Sequence, residues 1–342
     1  MIQVVKIEDA IGYPLAHDIT EIRVGEFKGA AFLKGHTITC RDLEILRRLG
    51  KDHLYVIRPE ENEIHEDDAA RLIANALCGY GVFWDKEPCE GKIVLKAKRD
   101  GLLIVDVEAL TRFNEIGEVM CATRHTNTVV KQDDQVAATR AIPLLIDSST
   151  LNIAITIAND SKSGVIQVKP MMSARAGVMI TGSEVYYGRI EDKFEPIIRQ
   201  KVTSMGGEVL DVIILPDDDT MIAQAALKLL ERGANLLLTT GGMSVDPDDR
   251  TRFALQRAGA KDIVYGTPVL PGSMFMIAYI NNIPILGIPA CALFSPITMF
   301  DLIYPRVLAG DKITRKEIAA TGHGGLCLGC KSCSFPKCSF GK

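Results

Sequence analysis

The segment from Asn235 to Thr251 reads NLLLTTGGMSVDPDDRT. Its apolar run predicts a buried strand that ends at Thr240, and Gly241 and Gly242 predict a turn whose backbone can approach a ligand closely. Pro247, followed by Asp248 and Asp249, is typical of the first turn of a helix. A strand, a glycine turn and a helix N-terminus together predict an anion site built from backbone N–H groups.

Strands and helices alternate on both sides of this segment, from about residue 176 onwards. Such alternation predicts an α/β fold with a three-layer, mostly parallel sheet and helices on both faces. Three polar clusters each follow a predicted strand, namely TGSE at 181–184, PDDD at 216–219 and TTGGMS at 239–244. Because ligands bind beyond the carboxyl ends of parallel strands, the three clusters are expected to converge on one site.

The composition limits the classes of function that the chain can have. It has 342 residues, 47% hydrophobic composition and a net charge of −4, which gives no support for nucleic-acid binding. The segment 263–300 carries no charge, but prolines and Asn281-Asn282 interrupt it, so we expect buried strands and turns rather than a membrane span. Without a recognisable signal peptide, a soluble cytoplasmic protein with no membrane partner is expected.

Changes in pattern along the chain predict four parts. Residues 1–81 are expected to form an N-terminal α/β segment, which includes a short amphipathic helix ending before Gly50. Residues 82–168 show period-2 stretches, among them LNIAITIA at 151–158, and predict a small β-rich domain that serves as a spacer or dimerisation module. Residues 169–312 form the α/β domain, and residues 313–342 are a Cys-rich tail.

The polar clusters suggest what the site could bind. The hydroxyl groups of Thr240 and Ser244 could donate hydrogen bonds to a phosphate beside the glycine amides. Carboxylates gathered at one edge of a sheet repel one another unless a cation lies between them, which favours Mg²⁺. The candidate carboxylates are Glu184, Asp217, Asp218, Asp248 and Asp249. The plainer alternative is that these carboxylates cap surface helices, and for Asp219 we expect capping; Thr220 is the candidate N-cap of the helix that follows.

The tail predicts a metal site. Its cysteines have the spacing C-x₂-C-x₂-C-x₄-C, formed by Cys327, Cys330, Cys333 and Cys338. Four thiolates in a short glycine-rich segment can hold one Zn²⁺ ion or a small Fe–S cluster, and the spacing leaves both open. The alternative is a disordered, redox-sensitive tail. The other five cysteines are scattered and are expected to be free thiols.

These motifs resemble a known family. TTGGMSVDPDD resembles the signature of the molybdopterin-binding domain of molybdenum-cofactor biosynthesis proteins, and residues 176–310 follow the order of that domain. Within that order, TGSE, ILPDDD, VLPGS (269–273) and IPAC (288–291) match the domain's remaining motifs. The N-terminal AIGYPLAHDI (10–19) resembles the opening of the larger molybdopterin molybdotransferases.

The resemblance implies insertion of molybdate into adenylylated molybdopterin with Mg²⁺ and release of AMP. It implies that Glu184, Asp217 and Asp249 are the functional carboxylates, and that Asp217 and Asp249 hold the metal. The implied cofactor-binding residues are Thr181, Gly182, Thr240, Gly241, Gly242, Ser244, Pro271 and Gly272. Proteins of this kind commonly form oligomers, so we expect a dimer or trimer, and a recipient molybdoenzyme is a further expected partner.

Several positions depart from the family pattern. Ser183 replaces an aspartate, Asp246 a glycine and Ser273 a lysine, while IPACA carries Ala290, Cys291 and Ala292 in place of Gly, Asn and Pro. These changes affect the chemistry of molybdate insertion more than they affect pterin binding. A non-catalytic molybdopterin carrier or chaperone is therefore a second hypothesis. A third is a nucleotide pyrophosphatase, because DDRT at 248–251 resembles the Asp-Asp-x-Thr of the competence-damage family.

Overall fold

The computed structural model describes residues 2–23, 27–57, 62–89, 91–242 and 250–342. The chain divides into two compact units, Met1–Thr126 with Val130–Lys169, and Asn127–Val129 with Pro170–Lys342. The four-part division of the sequence remains a prediction within this arrangement. In the described ranges, every helix is too short or too polar to span a bilayer.

The first elements form a small module with its own apolar core. They are β1 (Ile2–Lys6), β2 (Ile19–Arg23), β3 (Phe27–Phe32), α1 (Asp42–Arg48) and β4 (His53–Ile57). β1 pairs antiparallel with β4, and β2 pairs antiparallel with β3. The helix expected before Gly50 is present as α1, and its residue Leu46 is buried in this core.

A second core follows along the chain in the same unit. The elements between residues 63 and 169 are β5 (Glu63–His65), α2 (Glu66–Leu77), β6 (Val82–Phe83), β7 (Lys92–Ala97), β8 (Gly101–Val105), α3 (Val107–Glu115), β9 (Val119–Thr123), β10 (Thr128–Val130), β11 (Gln135–Ala141), β12 (Leu145–Asp147), α4 (Ser148–Asp160) and β13 (Ile166–Lys169). A four-stranded antiparallel sheet has the order β6-β7-β11-β9, and β8 pairs antiparallel with β13. The apolar sides of α2, α3 and α4 join these strands in one core.

The prediction of a strand at residues 151–158 was wrong, because this stretch lies in the helix α4. Its many isoleucine and threonine residues favour strands, since β-branched side chains fit a pleated sheet. The residues that it buries, however, are Leu151, Ala154 and Ala158, which have helical spacing. Asp147 caps the helix by accepting a hydrogen bond from the Ser149 amide, 2.8 Å away.

The second unit is built on a six-stranded sheet. Its elements are β14 (Arg175–Thr181), α5 (Ser183–Tyr186), α6 (Phe194–Ser204), β15 (Glu208–Leu215), α7 (Asp219–Glu231), β16 (Leu236–Thr240), α8 (Thr251–Arg257), β17 (Lys261–Tyr265), β18 (Met276–Ile280), β19 (Ile283–Ile288), a 3₁₀ turn (Ala290–Leu293), α9 (Met299–Leu308) and α10 (Arg315–Ala320). The strand order is β15-β14-β16-β19-β18-β17. The first four strands are parallel, and β18 is antiparallel to both of its neighbours.

Successive residues of the parallel strands enter two different cores, one on each face of the sheet. Ile180 and Leu238 pack with α6 and α9, whereas Met179 and Leu237 pack with α7 and α8. This alternation follows from the period of two of a β-strand. The predicted three-layer, mostly parallel α/β fold is therefore confirmed.

The prediction that Thr220 is the N-cap residue of α7 was wrong. Asp218, rather than Thr220, is the N-cap residue, and its carboxylate accepts hydrogen bonds from the amides of Thr220 and Met221 at 2.9 and 2.8 Å. A carboxylate also interacts favourably with the positive end of the helix dipole, which a threonine hydroxyl does less strongly.

Candidate functional site

The glycine turn after β16 lies directly against the end of β14. Gly241 and Gly242 have φ angles of +75° and +55°, in the region that favours glycine. A Cβ atom at Gly241 would lie 2.0 Å from the carbonyl oxygen of Thr181. Both glycines are therefore required by the local packing, and the turn brings the carboxyl ends of two neighbouring strands together.

Threonine hydroxyl groups hold this turn in place. Thr181 Oγ1 donates to the carbonyl oxygen of Thr240 at 2.9 Å and lies 3.0 Å from Thr251 Oγ1. Thr251, the first residue of α8, also donates to the carbonyl oxygen of Gly241 at 3.3 Å. Thr251 is the last residue of the DDRT motif, and no local pattern predicts its role, because its contact with Thr181 joins residues 70 positions apart.

Thr240 itself is fully buried at the end of β16. Its Oγ1 has no hydrogen-bond partner among the described residues, and the same holds for Thr239, whose side chain points to the opposite face of the sheet. A buried hydroxyl without a partner is unfavourable by about 1–3 kcal/mol. The Thr240 hydroxyl therefore has an unused hydrogen-bonding capacity one position before Gly241.

A cavity of about 790 Å³ opens at the carboxyl ends of β14, β16 and β19. Its lining includes Thr181, Glu184, Glu191, Asp192, Lys193, Gly241, Gly242, Ser273, Met274 and Cys291. The TGSE and TTGGMS motifs thus meet at the cavity, whereas no residue of the PDDD motif lines it; the VLPGS and IPAC motifs contribute Ser273 and Cys291. The volume lies within the range of about 300–1,000 Å³ that is usual for small-molecule sites.

Some of the predicted binding residues lie beside this cavity without lining it. Gly182, Thr240 and Gly272 are each adjacent in sequence to a lining residue, and Pro271 lies two positions before the lining residue Ser273. Gly272 has a φ of +128°, and a Cβ atom there would lie 2.6 Å from the Met299 amide nitrogen. Gly272 is therefore needed for the course of the loop that presents Ser273. The predicted residues Ser244 and Asp249, with Asp246, Pro247 and Asp248, lie outside the described residues.

The described lining is acidic. It contains the carboxylates of Glu184, Glu191 and Asp192 but only one ammonium group, that of Lys193. Asp192 is already satisfied, because it accepts hydrogen bonds from the amides of Phe194 and Glu195 at 3.0 and 2.9 Å. A phosphate in this cavity would need backbone amides, hydroxyl groups or an added cation to offset the negative charges.

Asp217 is hydrogen-bonded to Ser183. Its Oδ2 accepts hydrogen bonds from the Ser183 amide at 2.8 Å and from the Ser183 hydroxyl at 3.0 Å. The neighbouring aspartates also have structural partners, since Asp218 caps α7 and Asp219 forms an ion pair with Arg250 at 3.0 Å. The expected capping role of Asp219 is thus replaced by an ion pair.

The described residues do not by themselves form a cation site. Across the described ranges, no group of three or more His, Cys, Asp or Glu side chains could hold a metal ion. The described residues include Glu184 and Asp217 but not Asp249. The described residues therefore do not fit a bound Mg²⁺, and magnesium binding remains a prediction.

The four tail cysteines are described, and the structure does not assemble them into a metal site. Cys330 and Cys333 are exposed, whereas Cys327 and Cys338 pack partly against the core beside α9. The amide of Cys327 donates to the carbonyl oxygen of Leu270 at 2.8 Å, so the start of the cysteine segment is tied to the domain. Zinc or iron–sulfur binding by this tail likewise remains a prediction.

Two sulfur-bearing side chains line the cavity, and sequence reasoning gave neither a role. Met274 follows Ser273, and Cys291 lies in the 3₁₀ turn after β19. Burial raises the pKa of the Cys291 thiol above its usual value, so the group is protonated at neutral pH. A protonated thiol is a weak hydrogen-bond donor. The family pattern has an asparagine at this position, whose side-chain amide is a stronger donor and acceptor.

Comparison with known families agrees with this geometry. Residues 177–309 match the family described as "Probable molybdopterin binding domain". These residues belong to that domain family. The match coincides closely with the expected limits of 176–310, and residues 4–58 match a domain of unknown function.

Relatives extend the similarity beyond the molybdopterin-binding domain. The chain is homologous to "Molybdopterin molybdenumtransferase" of Haemophilus influenzae, with 23% identity over 323 residues, which is 91% of this chain and 74% of the relative. A "CinA-like protein" of Mycobacterium tuberculosis is 33% identical over 93 residues, 27% of this chain and 22% of that protein. The solved structure of MoaB from Thermus thermophilus has a TM-score of 0.35 at 20% identity, covering 40% of this chain and 98% of that one.

Proposed function

We propose that the molybdopterin-binding domain holds molybdopterin, or its adenylylated form, in the cavity at the ends of β14, β16 and β19. The observation that carries this proposal is the convergence of Thr181, Glu184, Gly241 and Gly242 on one cavity of about 790 Å³. In this arrangement the phosphate lies against the glycine turn, where close backbone approach is possible. Ser244 would contribute a hydroxyl group in addition to that of Thr240.

We further propose that the bound compound receives molybdate and releases AMP. Of the two described carboxylates that the family resemblance assigns to the reaction, Glu184 lines the cavity, whereas Asp217 is bonded to Ser183. The rate enhancement would come from positioning the reactants and from stabilising the charge on the phosphates. The homology to a molybdopterin molybdenumtransferase supports this reaction.

The test is to incubate the purified chain with adenylylated molybdopterin, Mg²⁺ and molybdate and to measure AMP. Release of AMP that depends on molybdate is expected. The matched variants are Glu184→Gln, in the cavity, and Glu195→Gln, a glutamate on α6 outside its lining. We expect the first to slow AMP release by about 100-fold or more and the second to have little effect. If neither molybdopterin nor its adenylylated form binds, the proposal fails entirely.

A second candidate function is a non-catalytic molybdopterin carrier or chaperone that delivers the cofactor to a recipient molybdoenzyme. The hydrogen bonds that engage Asp217 favour it, because a carboxylate already held by Ser183 is less free to bind a cation that would stabilise charge in a reaction. Tight binding without AMP release in the same assay would identify a carrier. Light scattering on the same sample would test the expected dimer or trimer.

A third candidate is the nucleotide pyrophosphatase of the competence-damage kind. The support for it is the 33% identity to a CinA-like protein, which extends over 93 residues. Cleavage of unrelated dinucleotides without molybdate would identify this activity. It would also leave molybdate-dependent AMP release absent, so one assay distinguishes the three candidates.

A further inference from the structure

A second cavity, of about 600 Å³, lies beside the edge strand β17 in the same unit. Its polar lining consists of Arg252, Gln256, Lys261, Asp262, Tyr265 and Arg315. None of these residues lines the molybdopterin cavity, so the two cavities are separate among the described residues. Three of the six side chains are cationic in a chain whose net charge is −4.

Two of the cations are held in place by their surroundings. The Arg252 guanidinium lies 4.9 Å from the centre of the Phe253 ring and 5.0 Å from the centre of the Tyr265 ring. Arg315 donates from its two terminal nitrogens to the carbonyl oxygens of Tyr265 and Gly266, at 2.6 and 2.8 Å. Ordering these long side chains in advance lowers the entropy lost when they bind a ligand.

The three cations have no carboxylate partner in the described part of the chain. Arg252, Lys261 and Arg315 each lack an ion pair there, although many other arginine and lysine side chains have one. The one carboxylate in the lining, that of Asp262, is paired with Lys312 at 2.7 Å. Like charges gathered around one cavity repel one another, and a bound anion would relieve that repulsion.

We propose that this cavity binds a small anion that carries a diphosphate group. The planar guanidinium groups match the oxygens of a phosphate, and the excess of positive charge matches a ligand with more than one phosphoryl group. This inference does not rest on the proposed molybdopterin function, because it uses other residues and another part of the sheet.

The test is calorimetric titration of the full chain with inorganic pyrophosphate at low salt. We expect binding that weakens about tenfold or more in Arg252→Gln/Lys261→Gln, because two charge-assisted contacts are lost. The single variant Lys261→Gln, at an exposed position, should weaken binding without a risk to folding. Lys316→Gln is the matched control, since it removes the same charge from α10 at a residue that does not line the cavity, and it should change the affinity less than about twofold.

Parallel titrations identify the source of the diphosphate group. Binding of ADP that depends on Arg252 and Lys261 and is tighter than that of pyrophosphate would support a nucleotide ligand; equal binding would support pyrophosphate itself. Absence of pyrophosphate binding would overturn the proposal, and so would binding that is unchanged in the double variant. Binding of a single-stranded oligonucleotide but not of pyrophosphate would also overturn it, because the surface would then recognise a nucleic acid.

Discussion

Ser183 donates two hydrogen bonds to one carboxylate oxygen of Asp217, from its amide at 2.8 Å and from its hydroxyl at 3.0 Å. The family pattern has an aspartate at position 183, which would place two carboxylates side by side. With serine there, neutral donors satisfy one oxygen of the Asp217 carboxylate instead.

The first prediction concerns Ser183→Asp. At neutral pH the two adjacent carboxylates should lower the free energy of unfolding by about 1–3 kcal/mol, since a donor is lost and a like charge is added. Millimolar Mg²⁺ should recover part of this loss. Chemical denaturation with and without Mg²⁺ measures both effects. Ser183→Ala is the control and should lose about 0.5–1.5 kcal/mol with no response to Mg²⁺; a Ser183→Asp protein equally insensitive to Mg²⁺ would contradict the prediction.

The second prediction concerns Gly241→Ala. The new methyl group would lie 2.0 Å from the Thr181 carbonyl oxygen, so the glycine turn must shift. We expect a loss of about 3–5 kcal/mol of stability, together with weaker molybdopterin binding. Gly206 has the same φ of +75° but no atom within 4 Å of a Cβ position. Gly206→Ala should therefore cost only the backbone strain of about 1–2 kcal/mol, and equal losses in thermal unfolding would show that the close approach is unimportant.

The third prediction concerns Thr240→Val. Removal of a buried hydroxyl without a partner should stabilise the unliganded protein by about 1 kcal/mol. If the hydroxyl binds the ligand, affinity for molybdopterin should fall about tenfold at the same time. Thr239→Val is a matched control on the opposite face of the sheet, and it should stabilise the protein without changing affinity. Fluorescence titration with molybdopterin distinguishes the two variants, and equal affinities would remove Thr240 from the binding site.

The fourth prediction concerns the pH dependence of stability through His65. Its Nδ1 accepts a hydrogen bond from the Asp67 amide at 3.2 Å and so caps α2 only while that nitrogen is unprotonated. Burial, with a smaller effect of Lys34, lowers the pKa of His65 below 6.5 in the folded state. The unfolded chain therefore binds the proton more readily, and this contribution to stability is present above pH 6.5 and is lost as the pH falls.

His65→Asn tests this effect, because asparagine can cap the helix without titrating. Between pH 7 and pH 5.5 the natural protein should lose up to about 1 kcal/mol more stability than the variant. Urea denaturation at the two pH values gives the difference. Identical pH dependence of the two proteins would mean that His65 has the same pKa in the folded and unfolded chain.

The fifth prediction concerns the metal site expected in the tail. Anaerobically purified protein should contain zinc or iron, and Cys330→Ser/Cys333→Ser should remove it. Cys40→Ser is the control, since Cys40 is also exposed but lies far from the tail in sequence. Elemental analysis of the three proteins decides the matter. Absence of both metals from the natural protein would contradict the prediction and would leave the tail cysteines as the free thiols that the structure shows.

The sequence by itself determined the mostly parallel sheet of the second unit and the strand ends that carry polar motifs. The strand–glycine–helix pattern at 235–251 and the motifs at strand ends are local, and the carboxyl ends of parallel strands must meet at one edge. The local pattern gave a wrong prediction at 151–158. Isoleucine and threonine favour strands there, but burial of Leu151, Ala154 and Ala158 at helical spacing outweighs that preference.

Only the tertiary structure decided which polar side chains already have a hydrogen-bond or ion-pair partner and which lack one among the described residues. Ser183 and Asp217 are 34 positions apart, and no local rule predicts that one satisfies the other. The same holds for the contact of Thr181 with Thr251 and for the three cations that surround the cavity beside β17. Hydrogen bonding and charge pairing depend on distances between atoms, and folding sets those distances between segments that the sequence keeps apart.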